Sequence, residues 1–354
     1  MDLLVLAIAF VVILLGAELF TNGIEWFGRK LELAEGAVGS VLAAVGTALP
    51  ETMIPIIAIL FSGGAGGAAD DVGIGAILGA PFMLSTLAMF VTGAGVLAFR
   101  HRRATGSRMV VDTVVLVHDI RYFVIAYSLA IGAAFLPTEL DALKIGVAVI
   151  LLGIYAWYVK GHFEADPEVD AEDLAPLRFR HLDRRAPRVH PTVPRLRIVG
   201  VQVVVALACI VGGAYLFVGA VDRLAAVLGV NEILLALVIA PIATELPEKF
   251  NSLIWVRQGK DTLAMGNITG AMVFQSAIPT VVALLFAPDS WHVTGDSLIA
   301  FISAAIALLA VAAVFLPMWR RARLDGRALL VGGVLYLAYL VLVGLGLAGV
   351  LNAG

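Results

Sequence analysis

Runs of about twenty apolar residues recur from end to end of this chain, each long enough to cross the hydrocarbon core of a bilayer as a helix. Lipid offers the backbone no hydrogen-bond partners, so such a chain folds as helices that satisfy their own N–H and C=O groups. Ten spans are predicted, at 3–26, 36–61, 73–99, 122–136, 143–160, 198–220, 231–255, 263–286, 297–317 and 328–350. With 61% hydrophobic and 14% charged residues, the 354-residue chain carries more apolar surface than a soluble domain can hide. The expected class is therefore an all-α, multi-pass integral membrane protein, with the lipid bilayer as a partner and no nucleic acid. The first span begins at Leu3 without a basic leader or a small-residue cleavage site, and reads as a retained helix. The one cysteine, Cys209, lies in an apolar run and reads as a small core residue.

Basic residues collect in cytoplasmic loops. Alternate loops hold Arg29 and Lys30; Arg100, Arg102, Arg103, Arg108 and Arg121; Lys160 with the arginines between 178 and 197; Arg257 and Lys260; and Arg320, Arg321, Arg323 and Arg327. These are 21 of the 24 basic residues. The opposite loops carry Lys144 and Arg223, and Lys249 falls inside a span. Both termini are expected outside, in a bacterial or archaeal cell membrane. The segment 161–197, acidic first (Glu164 to Asp173), then basic and rich in proline, reads as a solvated, flexible cytoplasmic linker. Its acidic cluster lacks the glycine and ligand order of an EF-hand loop.

Two hexapeptides match across a constant shift of 197 residues: Gly46-Thr47-Ala48-Leu49-Pro50-Glu51 and Ala243-Thr244-Glu245-Leu246-Pro247-Glu248. The same shift relates Gly16–Phe20 to Gly213–Phe217, Glu25 to Asp222 and Glu35 to Glu232. A shift of 191 relates Asp70 and Gly75–Ala80 to Asp261 and Gly266–Ala271. The chain thus divides into a first half, 1–160, with its repeat core at 36–99, the linker 161–197, and a second half, 198–354, with its repeat core at 231–286. Five spans per half is an odd number, so the second half enters the membrane from the opposite side. Many secondary transporters have this inverted repeat, with ion sites at the repeat interface near the midplane.

A carboxylate in the hydrocarbon core costs at least ~2.5–3.5 kcal/mol, so two at matched positions point to a cation. Thr47 and Glu51 are four residues apart, as are Thr244 and Glu248, so each hydroxyl shares a helix face with its carboxylate. Pro50 and Pro247 have no N–H, which frees the carbonyls of Gly46 and Ala243. All are hard oxygen ligands suited to calcium or sodium. The bland reading is a pair of kinked helices whose glutamates pair with neighbours. Glu245 has no counterpart in the first repeat, and it serves either as a ligand or in a salt bridge with Lys249. Gln275 could ligate through its amide oxygen or bond across helices; its counterpart is Leu84. Asn267 and Thr269 are weaker polar candidates nearer the helix start. Gly75/Gly79 and Gly266/Gly270 permit close helix approach. His118, Asp119 and Arg121 read as a cytoplasmic-rim cluster or a proton relay, and Glu18 as a gating or proton-binding candidate.

These residues resemble the calcium/cation antiporter superfamily, which includes sodium/calcium and proton/calcium exchangers. Its repeats carry Gly-Thr-Ser-Leu-Pro-Glu and Gly-Asn-x-x-Gly-Ser-Asn motifs. The first stands here with Ala48, Ala243 and Glu245 in place of Ser, Gly and Ser. The second survives partly as Gly266–Met272 and further eroded as Gly75–Pro81. The resemblance implies that Glu51 and Glu248, aided by Thr47 and Thr244, are the central calcium ligands. It also implies alternating access, with the first and sixth spans sliding across a fixed core. Positions that hold sodium in sodium/calcium exchangers are Ala80, Ala271, Leu84 and Gln275 here, which leaves room for proton coupling. Two nearby carboxylates resist simultaneous ionisation, so an empty site would take up a proton. The expectation is an antiporter exporting Ca2+ in exchange for Na+ or H+, with no enzymatic activity and no cofactor beyond the transported cation. The alternatives are antiport of another cation, Na+/H+ or K+-linked, a channel, or an intramembrane metal-dependent hydrolase. A hydrolase would need a nucleophile or a basic clamp beside the glutamates, where only Lys249 fits.

Overall fold

A computed structural model of the chain describes residues 2–30, 44–61, 68–164, 175–182, 194–228, 252–253, 255–294, 297–321 and 323–347. These residues fold as helices, with one two-stranded sheet among them. The helices are α1 (Asp2–Lys30), α2 (Ala44–Phe61), α3 (Ala68–Met83), α4 (Met89–Phe99), α5 (Thr113–Ala133), α6 (Ala142–Glu164), α7 (Leu196–Leu228), α8 (Asp261–Phe286), α9 (Leu298–Arg321), α10 (Gly326–Leu329) and α11 (Val331–Leu347). A π-helical turn, Leu84–Ala88, joins α3 to α4 and makes one long rod of the two. It follows Pro81, which has no N–H to give to the preceding turn.

Eight helical stretches among the described residues are long and apolar enough to cross a membrane, and Glu51–Leu60 is a shorter apolar helix. Two are central: Gly73–Phe99 and Ala264–Phe286 are each 83% buried, against 22–50% for the others. The buried polar residues Ser85, Thr86, Thr92, Asn267, Thr269, Gln275, Ser276 and Thr280 all lie on these two. α8 packs against α2, α3, α5 and α6, and α3 against α2 and α9. Outward faces carry Val114, Val149, Trp157, Val204, Leu309 and Val334, the apolar surface that lipid requires.

α1 lies antiparallel along α7. Gly16 sits against Ala206 and Ile210, and Gly213 against Ala9 and Ile13. The residues touched by one glycine are the 197-shift counterparts of those touched by the other. The interface is therefore two-fold in its contacts.

One end of the bundle is clasped by β1 (Arg108–Met109) and β2 (Leu324–Asp325), paired antiparallel. Beneath this clasp Arg103 and Asp261 form an ion pair at 2.6 Å, with both side chains 1% exposed. The second Arg103 amine reaches the carbonyl of Val256, and the Val110 N–H donates to Asp261 Oδ2 at 2.8 Å. Gly259, at φ 77°, turns the chain into α8 through a conformation that favours glycine. At the other end Lys144 is fully buried. Its Nζ donates to the carbonyls of Pro288 (2.7 Å) and Trp291 (3.0 Å) and pairs with Asp141 (2.9 Å). The lysine expected in a loop is thus the centre of a polar knot.

Two expectations need correction. The fourth span was placed at 122–136, whereas α5 begins at Thr113 and ends at Ala133. Asp112 caps it, accepting from the N–H groups of Val114 and Val115, so His118, Asp119 and Arg121 lie inside the helix. The linker is not solvated throughout. Leu177 is buried beside Trp26 and Val199, Trp26 Nε1 donates to the Ala175 carbonyl at 2.9 Å, and the Phe179 N–H donates to Gln202 Oε1 at 2.8 Å. Residues 175–182 therefore dock across α1 and α7. Most of the acidic cluster falls outside the described residues.

Candidate cation site

α2 is an apolar helix that carries one acid at its centre. Glu51 is 4% exposed, and both its carboxylate oxygens are shut off from solvent. Pro50 withholds its N–H from the carbonyl of Gly46, and Pro55 does the same to the carbonyl of Glu51 itself. The helix nevertheless continues to Phe61. Thr52 turns its hydroxyl back onto the Ala48 carbonyl at 2.7 Å, a local bond that does not compete for a ligand. Gly46 and Thr47 belong to the start of α2; the Thr47 side chain lies outside the described residues, as do Ala243, Thr244, Glu245, Glu248 and Lys249.

α8, which packs against α2, supplies the amides. Gln275 is 1% exposed, and neither its Oε1 nor its Nε2 has a hydrogen-bond partner among the described residues. A buried amide normally finds partners, because leaving one unpaired costs about 1–3 kcal/mol. Pro279, one turn on, also frees the Gln275 carbonyl. Asn267 is buried on the same helix. The Thr269 hydroxyl donates to Asp119 Oδ2 at 2.6 Å. The segment thus holds a buried carboxylate on α2, a buried amide on α8 and carbonyls freed by prolines, all hard oxygens.

Around Asp119 is a second polar centre. The acid is fully buried. Its Oδ1 accepts from Tyr158 Oη at 3.1 Å and lies 3.0 Å from His162 Nε2; its Oδ2 accepts from Thr269. This overturns the cytoplasmic-rim reading of Asp119. Tyr158 and His162, four residues apart on one face of α6, were not singled out from the sequence, although that spacing is visible there. Glu18 is exposed, and the Arg178 guanidinium donates to it at 2.5 Å from the docked linker, which ties that segment to α1.

The chain matches the sodium/calcium exchanger protein family over residues 1–161 and 198–345. CaxA of Alkalimonas amylolytica, whose name gives it as a candidate antiporter, is 25% identical over 335 residues, covering 93% of this chain and 95% of its own. The crystal structure of the H+/Ca2+ exchanger CAX superposes with a TM-score of 0.71 at 17% identity, covering 96% of this chain and 81% of that one. The sodium-calcium exchanger NCX_Mj, soaked with Na+ and Sr2+, superposes with a TM-score of 0.60 at 16% identity, covering 96% and 97%. Taken with the eight apolar helices and the acid buried among them, this match over most of its length makes the chain an integral membrane protein of the sodium/calcium exchanger family.

Proposed function

We propose that the protein is a secondary active cation antiporter that carries Ca2+ against Na+ or H+ by alternating access. The observation that carries this reading is Glu51, a carboxylate closed off from solvent within an apolar helix and packed beside the helix of Gln275. A cation bound there would offset the cost of burying the charge. Glu248, with Thr244, Thr47 and the carbonyls of Gly46 and Ala243, would complete the ligand set by the repeat; Glu245 is a further candidate. In this reading ten spans form two inverted five-helix halves, 1–160 and 198–354, joined by the linker 161–197, with both termini outside the cell. The reciprocal contacts of Gly16 and Gly213 support that inverted relation. So do the two matched family segments, which leave 162–197 between them.

The test is flux in proteoliposomes loaded to impose sodium or proton gradients, with calcium, sodium, potassium and manganese as substrates. Glu51→Gln and Glu248→Gln are each expected to abolish gradient-driven calcium uptake. Uptake at the wild-type rate in both variants would overturn the reading. Activation by sodium or by protons in the wild type identifies the counter-ion.

A further inference from the structure

The Asp119 cluster lies outside the set of oxygens assigned to the cation, yet it is bonded to the same helix. We propose that Asp119 and His162 form a proton-binding site, loaded through His118 from the Arg103 end of the bundle, and that its occupancy tunes cation exchange through Thr269. The proposal rests on the antiporter reading for what is tuned, but not for the site itself.

The route to the site is short. His118 is half-buried and lines an open cleft of about 420 Å³ together with Thr113, Arg121 and Trp319. Its ring stacks on Tyr158 at 5.5 Å between centroids and meets His162 edge-on at 5.1 Å. One polar atom each from His118, Asp119 and His162 lie within 4.8 Å of one another. A proton from water in the cleft thus reaches His162 by way of one imidazole. Beyond Asp119 the only onward group among the described residues is the Thr269 hydroxyl, so the cluster opens to one end of the bundle.

Both protonation states are satisfied by the same atoms. With Asp119 ionised, His162 Nε2–H, Tyr158 Oη–H and Thr269 Oγ1–H all donate to it. When the pair takes one proton, it resides on His162 as imidazolium or on Asp119 Oδ2, and it belongs to the pair. In the second case Asp119 donates to Thr269, whose own hydroxyl proton turns to the Met265 carbonyl, already 3.1 Å away. In that case each of these four oxygens keeps a partner. The exchange reorients a hydroxyl on α8, two residues from Asn267 and six from Gln275.

Glu51, on α2 against the far side of α8, takes up protons of its own in the antiporter reading, and the elements around the pair bring further charged groups. α5 itself brings His118, Arg121 and Tyr122; α6 brings Tyr155, Tyr158 and His162; α8 brings Asp261, already held by Arg103; and α9 brings Arg320 in its last turn. Uptake of a proton removes one negative charge beside the cation helix, which disfavours a bound cation. The sign is therefore that acid on this side slows exchange.

The experiment is equilibrium 45Ca2+/Ca2+ exchange in proteoliposomes, which needs no counter-ion, with pH varied on one side at a time. Pair titration is followed in parallel by pH-difference infrared spectroscopy. Wild-type exchange is expected to fall roughly tenfold on acidification of one side only, within the usual range of coupling between sites. Asp119→Asn and His162→Gln are expected to lessen that fall, leaving only the part due to the cation-site carboxylates, and to remove the titrating carboxyl or imidazolium band. Thr269→Val keeps the band but lessens the fall, which separates titration from its coupling. A wild-type profile in either pair variant, or an unchanged band in Asp119→Asn, overturns the proposal. So does Zn2+ that inhibits the wild type and binds it only when His118, Asp119 and His162 are intact, since the cluster would then be a metal site. If the wild type exchanges no calcium at any pH, the antiporter reading for calcium fails, and the infrared band alone decides the proton site.

Discussion

Gly16 and Gly213 make the same contact from opposite sides of the α1–α7 interface. A Cβ on Gly16 would lie 2.9 Å from Ile210 Cγ1 and 3.0 Å from the Ala206 carbonyl oxygen. On Gly213 it would lie 2.6 Å from Ile13 Cγ1 and 3.2 Å from the Ala9 carbonyl oxygen. Both glycines are required by close approach of two backbones, the packing device of membrane helices. Gly16→Leu and Gly213→Leu are each expected to destabilise the protein by about 1–3 kcal/mol through overpacking. Because the contact is reciprocal, the two losses should match, as read by thermal unfolding in detergent monitored by gel filtration.

The Arg103–Asp261 pair closes one end of the bundle with almost no exposure, so its charges are weakly screened. Removing one partner strands the other. Arg103→Met and Asp261→Leu are each expected to cost about 3–5 kcal/mol alone, and the double variant distinctly less, because no orphan charge remains. Melting temperatures of the two single variants and the double variant give the coupling directly.

How far the molecule could be read from its residues depended on the range of the interactions. Apolar runs report spans because the bilayer sets helix length locally, and 73–99 was placed at its observed bounds. α5 was placed nine residues late because hydropathy counts His118, Asp119 and Arg121 as water-facing. Asp119 is instead stabilised by Tyr158, His162 and Thr269, which lie 39 to 150 residues away. No local pattern carries such partners. The same holds for Lys144, whose acceptors sit in the loop at 288–292. In the linker, proline and charge suggested solvent, while Leu177 and the backbone groups of Ala175, Pro176, Arg178 and Phe179 found α1 and α7. Glu51 and Gln275 were legible as buried polar groups because an acid and an amide stand out in apolar runs. The bond from Thr269 to Asp119 was not legible, because its partner lies 150 residues away.

At the Lys144 end, stability should depend on pH through Asp141. The Lys144 ammonium, bonded to this carboxylate, holds it below the usual carboxylate range, and the charges of Lys144 and His292 add to the effect. A carboxyl that binds its proton less tightly when folded stabilises the fold above its unfolded pKa, and that contribution disappears as pH falls through the lowered folded value. Melting temperature in detergent is therefore expected to fall as pH drops beneath the ordinary carboxylate range. Asp141→Asn is expected to lose that slope while melting lower at neutral pH, since Lys144 keeps its two carbonyls but loses its counter-charge.

Gln275 sets stability against function most directly. Its carboxamide is buried with neither atom bonded among the described residues, and the equivalent position of the first repeat is Leu84. In the antiporter reading the partner of this carboxamide is the cation. Gln275→Leu fills nearly the same volume and removes the two polar atoms that have no partner among the described residues. It is expected to stabilise the cation-free protein by about 1–3 kcal/mol. The same change should weaken calcium binding by roughly tenfold or more, since one hydrogen bond or ligand to a charge is worth about 1.5–3 kcal/mol. Thermal unfolding with and without calcium measures both quantities on one sample. The variant should melt higher than the wild type without calcium and gain less from its addition. A variant that melts lower in both conditions would mean that Gln275 serves packing and not the ion.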